Sequence, residues 1–227
     1  MFSSVRKLGI GQANHAAPLP HVIASGKGTS MKMRYLALLP LLAASLLTSR
    51  AQAQAPVFVI SPPPQSTIKF SVKASVAIAG TFDKWDATLT FASADVTTGV
   101  LDIKIQAASV NTGSGMKNDK LKGKDFFDAE HDPLITYKST KIVQTGPTTF
   151  DVPGTFTIRG VSKPETLTLT VSGVGTGSGT IKGTMAFDRK EFGMNSGIPF
   201  IKIADRVEVD IDLLGKRISG PPLTIKQ

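Results

Sequence analysis

The side chains with the widest chemical reach are gathered between positions 125 and 132, in Asp125-Phe-Phe-Asp-Ala-Glu-His-Asp132. Carboxylates with an imidazole at such short spacing could hold a metal or move a proton. His131 is, however, the single histidine after residue 53, no second histidine stands at helical spacing, and the chain has no cysteine. The plainer reading is that these polar groups solvate and cap a turn from helix to strand, so neither a catalytic residue nor a metal ligand is expected. Gly113-Ser-Gly115 and Gly177-Ser-Gly179 lack the five-residue Gly-x-Ser-x-Gly spacing of a nucleophile elbow. The glycine-rich run 173–183 lacks the Lys-Ser/Thr that follows a phosphate-cradling loop, and reads as a hairpin connection.

What remains is apolar surface. Phe70, Phe82, Trp85, Phe91, Phe126, Phe127, Phe156, Met185, Phe187, Phe192 and Met194 supply aromatic and thioether area throughout the chain. Core packing alone would account for most of it.

The elements that must position these residues are strands. In 155–171, TFTIRGVSKPETLTLTV, Leu167, Leu169 and Val171 alternate with threonines, and Phe156 and Ile158 do the same in the arm before. Gly160 and Pro164 are expected to bracket the turn between the arms. Further strands are read at 57–60, 68–72, 76–82, 87–91, 100–107, 134–142, 149–158, 165–172, 180–188 and 206–214. Pro62-Pro63-Pro64 should break the ladder after the first, and Gly80 to Phe82 suits a bulge or bend. Only 112–127 changes period, which predicts one or two short helices ended by Asp132-Pro133. Alternation with one helical insertion describes an antiparallel barrel or sandwich and does not choose between them.

A family resemblance chooses. "TIRG" followed by "VSKP" and alternating apolar residues resembles the signature of the YceI-like, polyisoprenoid-binding proteins. SVNTGSGMKNDKLKGKDFF at 109–127 is similar to that family's helical connection, and FDRKEFGM at 187–194 to its "R-x-x-F-G-M" element. The resemblance implies an all-β fold: an elongated, antiparallel, lipocalin-like β-barrel with a short helical connection near one end. It further implies a non-enzymatic binder of a long isoprenoid, of the quinone or polyprenyl-phosphate kind, in an apolar lumen. The lining expected on that basis is Phe70, Val72, Phe82, Phe91, Ile103, Ile105, Phe126, Phe127, Phe156, Ile158, Leu167, Leu169, Met185, Phe187, Phe192 and Met194. Departures are also visible: Lys73 and Ala74 occupy the neighbourhood where many members carry a histidine, and Asn118 stands where Asp is common. An alternative function is an exported stress-response or interaction protein whose barrel is merely filled core. The sequence leaves a homodimer open.

Residues 1–53 carry six basic side chains and no acidic one. Met31-Lys-Met-Arg34, the apolar run 36–47 and Ala51-Gln-Ala53 have the three parts of a secretory signal peptide, which places the mature chain in the periplasm. Twelve apolar residues interrupted by Pro40 are too few for a stable membrane anchor, since about 20 are needed to span a bilayer. Residues 1–30 read as a misassigned start or overlong basic leader, with a mitochondrial-type presequence the runner-up; 54–227 is one barrel domain. Of the 26 basic residues, 20 remain beyond residue 53 against 17 acidic ones, so the formal charge falls from +9 to +3. That near-balance, with lysines spread along strands, lacks the footprint of a nucleic-acid binder. Without cysteine, stability must come from the core rather than disulfides. Cleavage is expected after Ala53; intact-mass analysis of the exported protein should show Gln54 at its start, and a product retaining 31–53 would overturn the address.

Overall fold

The computed structural model describes residues 54–75, 78–173, 175–197 and 200–225. The signal-peptide reading therefore lies outside the described residues. Twelve strands are found among them: β1 (Val57–Ile60), β2 (Thr67–Ala74), β3 (Ile78–Phe82), β4 (Trp85–Phe91), β5 (Gly99–Gln106), β6 (Val110–Asn111), β7 (Leu134–Ser139), β8 (Val143–Gln144), β9 (Thr149–Ile158), β10 (Val161–Val171), β11 (Ser178–Asp188) and β12 (Ile203–Ser219). One α-helix, α1 (Gly115–Lys122), falls inside the predicted helical stretch and ends at Gly123. Among the described residues no helix is long and apolar enough to cross a membrane.

All ladders are antiparallel, in the order β4-β5-β7-β9-β10-β11-β12-β2-β3-β6. The sheet curls into a half-barrel, and its open side is spanned by chain connectivity. β3 and β4 are one bent strand joined by Asp83 and Lys84: its first half pairs with β2, its second with β5. Backbone bonds from Asp83 N to Ser109 O and from Gln106 N to Lys84 O, each 3.0 Å, bridge the bend. Past the start of β2, β1 takes its place beside β12 and meets β4 through Phe58 and Phe91, whose ring centroids are 5.6 Å apart. The bend thus falls at Asp83–Lys84 and not at Gly80, which pairs regularly with Phe70. Gly80 serves a different need, because a Cβ there would stand 2.8 Å from Asn111 O and 2.9 Å from the Phe70 ring.

The hairpin of β9 and β10 also differs from expectation at its turn. Arg159 and Gly160 alone make it, both with positive φ (54° and 68°), the geometry of a two-residue turn whose twist matches the strands. Pro164 lies inside β10, opposite Thr155. It is tolerated because β10 pairs with β11 only over Thr168 to Val171, so Pro164 has a neighbour on one side only. The strand read at 134–142 is likewise shorter, since β7 stops at Ser139 and β8 resumes at Val143. Inward residues of every long strand form one core, including Ile68, Leu101, Val152, Leu167 and Leu213, each no more than 2% exposed.

Gly80→Ala should lower stability by about 1–3 kcal/mol through overpacking against Phe70. Gly115→Ala, with no atom within 4 Å of the added methyl, should be neutral or slightly stabilising. Urea midpoints of the two variants check the contrast.

Candidate ligand-binding cavity

Before Thr168, where β10 does not pair with β11, the sheet wall opens and loops complete it. Phe192, fully buried in the 3₁₀ turn Arg189–Phe192, fills the gap from outside; its ring lies 5.4 Å from Phe156 on β9 and 5.2 Å from Phe187 on β11. Across the barrel a second aromatic group forms from Phe70, Phe82 and Phe127, with centroids 5.5 to 6.1 Å apart. Aromatic rings at these separations and tilts hold one another in fixed orientations. Between the two groups lies a cavity of about 450 Å³.

Ten of the residues expected to line the lumen border this cavity: Phe70, Val72, Phe82, Ile105, Phe126, Phe127, Phe156, Ile158, Phe187 and Met194. Phe91 and Leu169 border a separate, smaller space of about 110 Å³ at the other end of the barrel. Ile103, Leu167 and Met185 border neither; they are buried in the layer between. Phe192 backs the wall instead of facing the space, because the 3₁₀ turn sets it behind Phe156 and Phe187. Sequence reasoning missed Ile68, Ile78, Ile135, Ile203, Val207 and Val209, although their alternation on β2, β3, β7 and β12 carried the signal. It also missed the rim. Helix α1 lays Met116, Lys117, Lys120 and Leu121 at the cavity's edge, with Met116 86% exposed, and Arg189 reaches it from below β11.

Lys120 and Arg189 are held in place by identifiable partners. Lys120 Nζ sits 2.7 Å from Asp125 and 5.7 Å from the Phe126 ring centroid, and its hydrogen bond holds the Asp125 carboxyl below the usual range. Arg189 is 6% exposed, and its guanidinium donates to the carbonyls of Ala204 (3.2 Å), Ser196 (3.0 Å) and Met194 and to Asp205 (3.1 Å). Lys190, 2.8 Å from the same carboxylate, is the main reason that Asp205 titrates low. A buried guanidinium so fully engaged costs little of the penalty an unpaired one would carry. Asn118 Oδ1 accepts from the backbone (2.9 Å) and hydroxyl (2.7 Å) of Thr112, so the amide at this position does the acceptor's work that a carboxylate would do.

The polar cluster 125–132 is a turn. Asp128, at φ 49°, accepts from His131 Nδ1 at 2.9 Å, and the His131 side chain is 74% exposed on the surface. Among the described residues no three His, Asp or Glu side chains converge as a metal site would require. Asp128 raises the pKa of His131, first by its hydrogen bond and then by its charge, with Glu130 adding to it. A raised folded-state pKa makes this contact stabilising at low pH and lost as pH rises through the folded-state value. The histidine ring signals followed by NMR should titrate above the ordinary range and fall back toward it in Asp128→Asn. At pH well above the folded-state value a His131→Gln variant should keep its thermal midpoint; loss of a stoichiometric metal on that change would overturn the reading of a solvated turn.

Known proteins agree with this architecture. The model of the YceI-like domain matches residues 59–214. A UPF0312 protein of Pseudomonas savastanoi pv. phaseolicola is 29% identical over 177 residues, covering 74% of this chain and 91% of its own. Among solved structures, Burkholderia cenocepacia BcnA is similar at a TM-score of 0.60 and 30% identity, covering 66% of this chain and 95% of that one. A polyisoprenoid binding domain from Saccharophagus degradans, implicated in plant cell wall breakdown, shares the fold at a TM-score of 0.58 and 17% identity, covering 71% and 99%. With a curled antiparallel sheet, one helix at the cavity rim and a family match across both, the chain belongs to the YceI-like family.

Proposed function

We propose that this protein is an exported binding protein that carries an isoprenoid or similar amphiphilic lipid, its chain in the 450 Å³ cavity and its head group at the α1 rim. The observation that carries the reading is the lining itself: apart from Lys117, Lys120 and Arg189 at its edge, every side chain bordering the space is apolar. An apolar chain entering it leaves water at about 25 cal/mol per Å², and no buried polar group inside the space demands a partner. Lys117 and Lys120 on α1 suit an electron-rich or anionic head, such as a quinone carbonyl or a prenyl phosphate. Membership of the YceI-like family and the shared fold with a polyisoprenoid binding domain support the same class of ligand. The same family membership and shared fold support a binding role. Residues 31–53 support delivery to the periplasm.

The test is the organic extract of natively purified mature protein, read by mass spectrometry. A prenyl lipid is expected in wild type. Val207→Phe, whose added ring would occupy the space beside Val72, should lose it while keeping or raising the thermal midpoint. Thr168→Lys, on the outer face beside Asp151, should leave both unchanged. An extract without lipid from a folded wild type, or equal lipid in Val207→Phe, would favour a barrel that is simply filled core.

A further inference from the structure

The barrel interior is divided. On β5, Ile105 borders the large cavity and Leu101 the small one, with Ile103 between; on β9, Phe156 and Phe150 border them, with Val152 between; on β11, Phe187 and Ile181, with Met185 between. Ile103, Val152, Met185, Tyr137, Leu167 and Leu213 make this middle layer, and none is more than 9% exposed. Tyr137 is its anchor. Its ring lies over Gly154, where a Cβ would stand 2.8 Å from the phenol carbon and oxygen, and its hydroxyl donates to the Val152 carbonyl. Burial pushes the phenol pKa up to about 12, so it remains a neutral donor. A phenol locked by a backbone acceptor and a glycine seat is a stiff partition, unlike an aliphatic residue free to change rotamer.

We infer that this partition sets the length of the bound chain: the large cavity ends at the layer that Tyr137 anchors, and accepts about three to four isoprene units. The estimate rests on the proposed lipid-binding role and on volume. An apolar cavity of about 150 Å³ takes one benzene, or about 25 Å³ per carbon, so 450 Å³ takes about 18 carbons. The 110 Å³ space beyond the partition would admit about four more, but only if the layer opened. Longer prenyl chains would leave several units outside the barrel, exposed to water.

A chain-length series tests the inference. Mature protein is equilibrated with phosphatidylcholine vesicles holding isoprenols of two, three, four, six or nine units at equal mole fraction, and its occupancy is read by native mass spectrometry. Occupancy should peak at three to four units and fall at least about tenfold by nine, because each unit that cannot enter leaves the bilayer for water. Tyr137→Ala should shift the peak to longer chains, whereas Tyr137→Phe, which keeps the ring, should shift it little. Ile103→Ala opens the same layer from another strand and serves if Tyr137→Ala does not fold. Equal occupancy from three to nine units in wild type would overturn the partition as a ruler and leave the carrier reading standing. A cut-off unmoved in the folded opening variants would also overturn it. No isoprenol bound at any length would overturn both.

Discussion

The end of the barrel that holds the cavity depends on two arginines that bind backbone carbonyls. Where β10 and β11 separate, the loops that finish the wall have no ladder to satisfy them, and buried carbonyls without donors are costly. Arg189 supplies donors to Met194, Ser196 and Ala204. Arg159, at the tip of the β9–β10 hairpin, donates to Lys124 O (2.8 Å) and to Gly193 O. The planar guanidinium presents several donors in a fixed fork, so each arginine fixes two or more segments at once, which a lysine could not do in the same geometry.

This arrangement explains why three stretches far apart in sequence share one role. The TIRG turn provides Arg159, the helical connection provides the Lys124 carbonyl and Phe126 and Phe127, and the FDRKEFGM stretch provides Arg189, Phe192, Gly193 and Met194. Gly193, at φ 75°, lets the chain reverse after the 3₁₀ turn, and its Cα leaves room for the Arg159 guanidinium 3.1 Å from where a Cβ would be. The two aromatic groups then sit on opposite walls, and neither can collapse into the space between without breaking ring contacts that the arginine-bound loops hold in place.

The opposite end is built differently. There β1 replaces β2 beside β12, and the C-terminal segment returns over the opening, bonding Thr224 N to Ala94 O at 2.7 Å and accepting from Val96 N at 3.3 Å. Leu223 and Ile225 close on Phe91, Leu169 and Ile181, leaving the smaller space. Helix α1 thus edges the large cavity and the C-terminal segment edges the smaller space, with the Tyr137 layer between them.

The sequence by itself determined the long strands, the place of the helical stretch and ten of the residues that border the cavity, because side-chain alternation reports which face of a strand is buried and does so locally. Ten lining residues, from Phe70 to Met194, were legible on that account and through the family motifs. Alternation could not tell depth along the barrel. Leu167 and Leu169 have the same facing as Phe156 and Ile158, yet one lies in the partition and the other beyond it, because position along a strand becomes height in a lumen only once every register is set. The turn at Arg159–Gly160, the bend at Asp83–Lys84 and the placement of Pro164 inside β10 were likewise decided by pairing with distant strands. The rim cations on α1 carried no periodic signal of their own, since that helix buries only Leu121; tertiary structure alone laid them across the mouth of an apolar space.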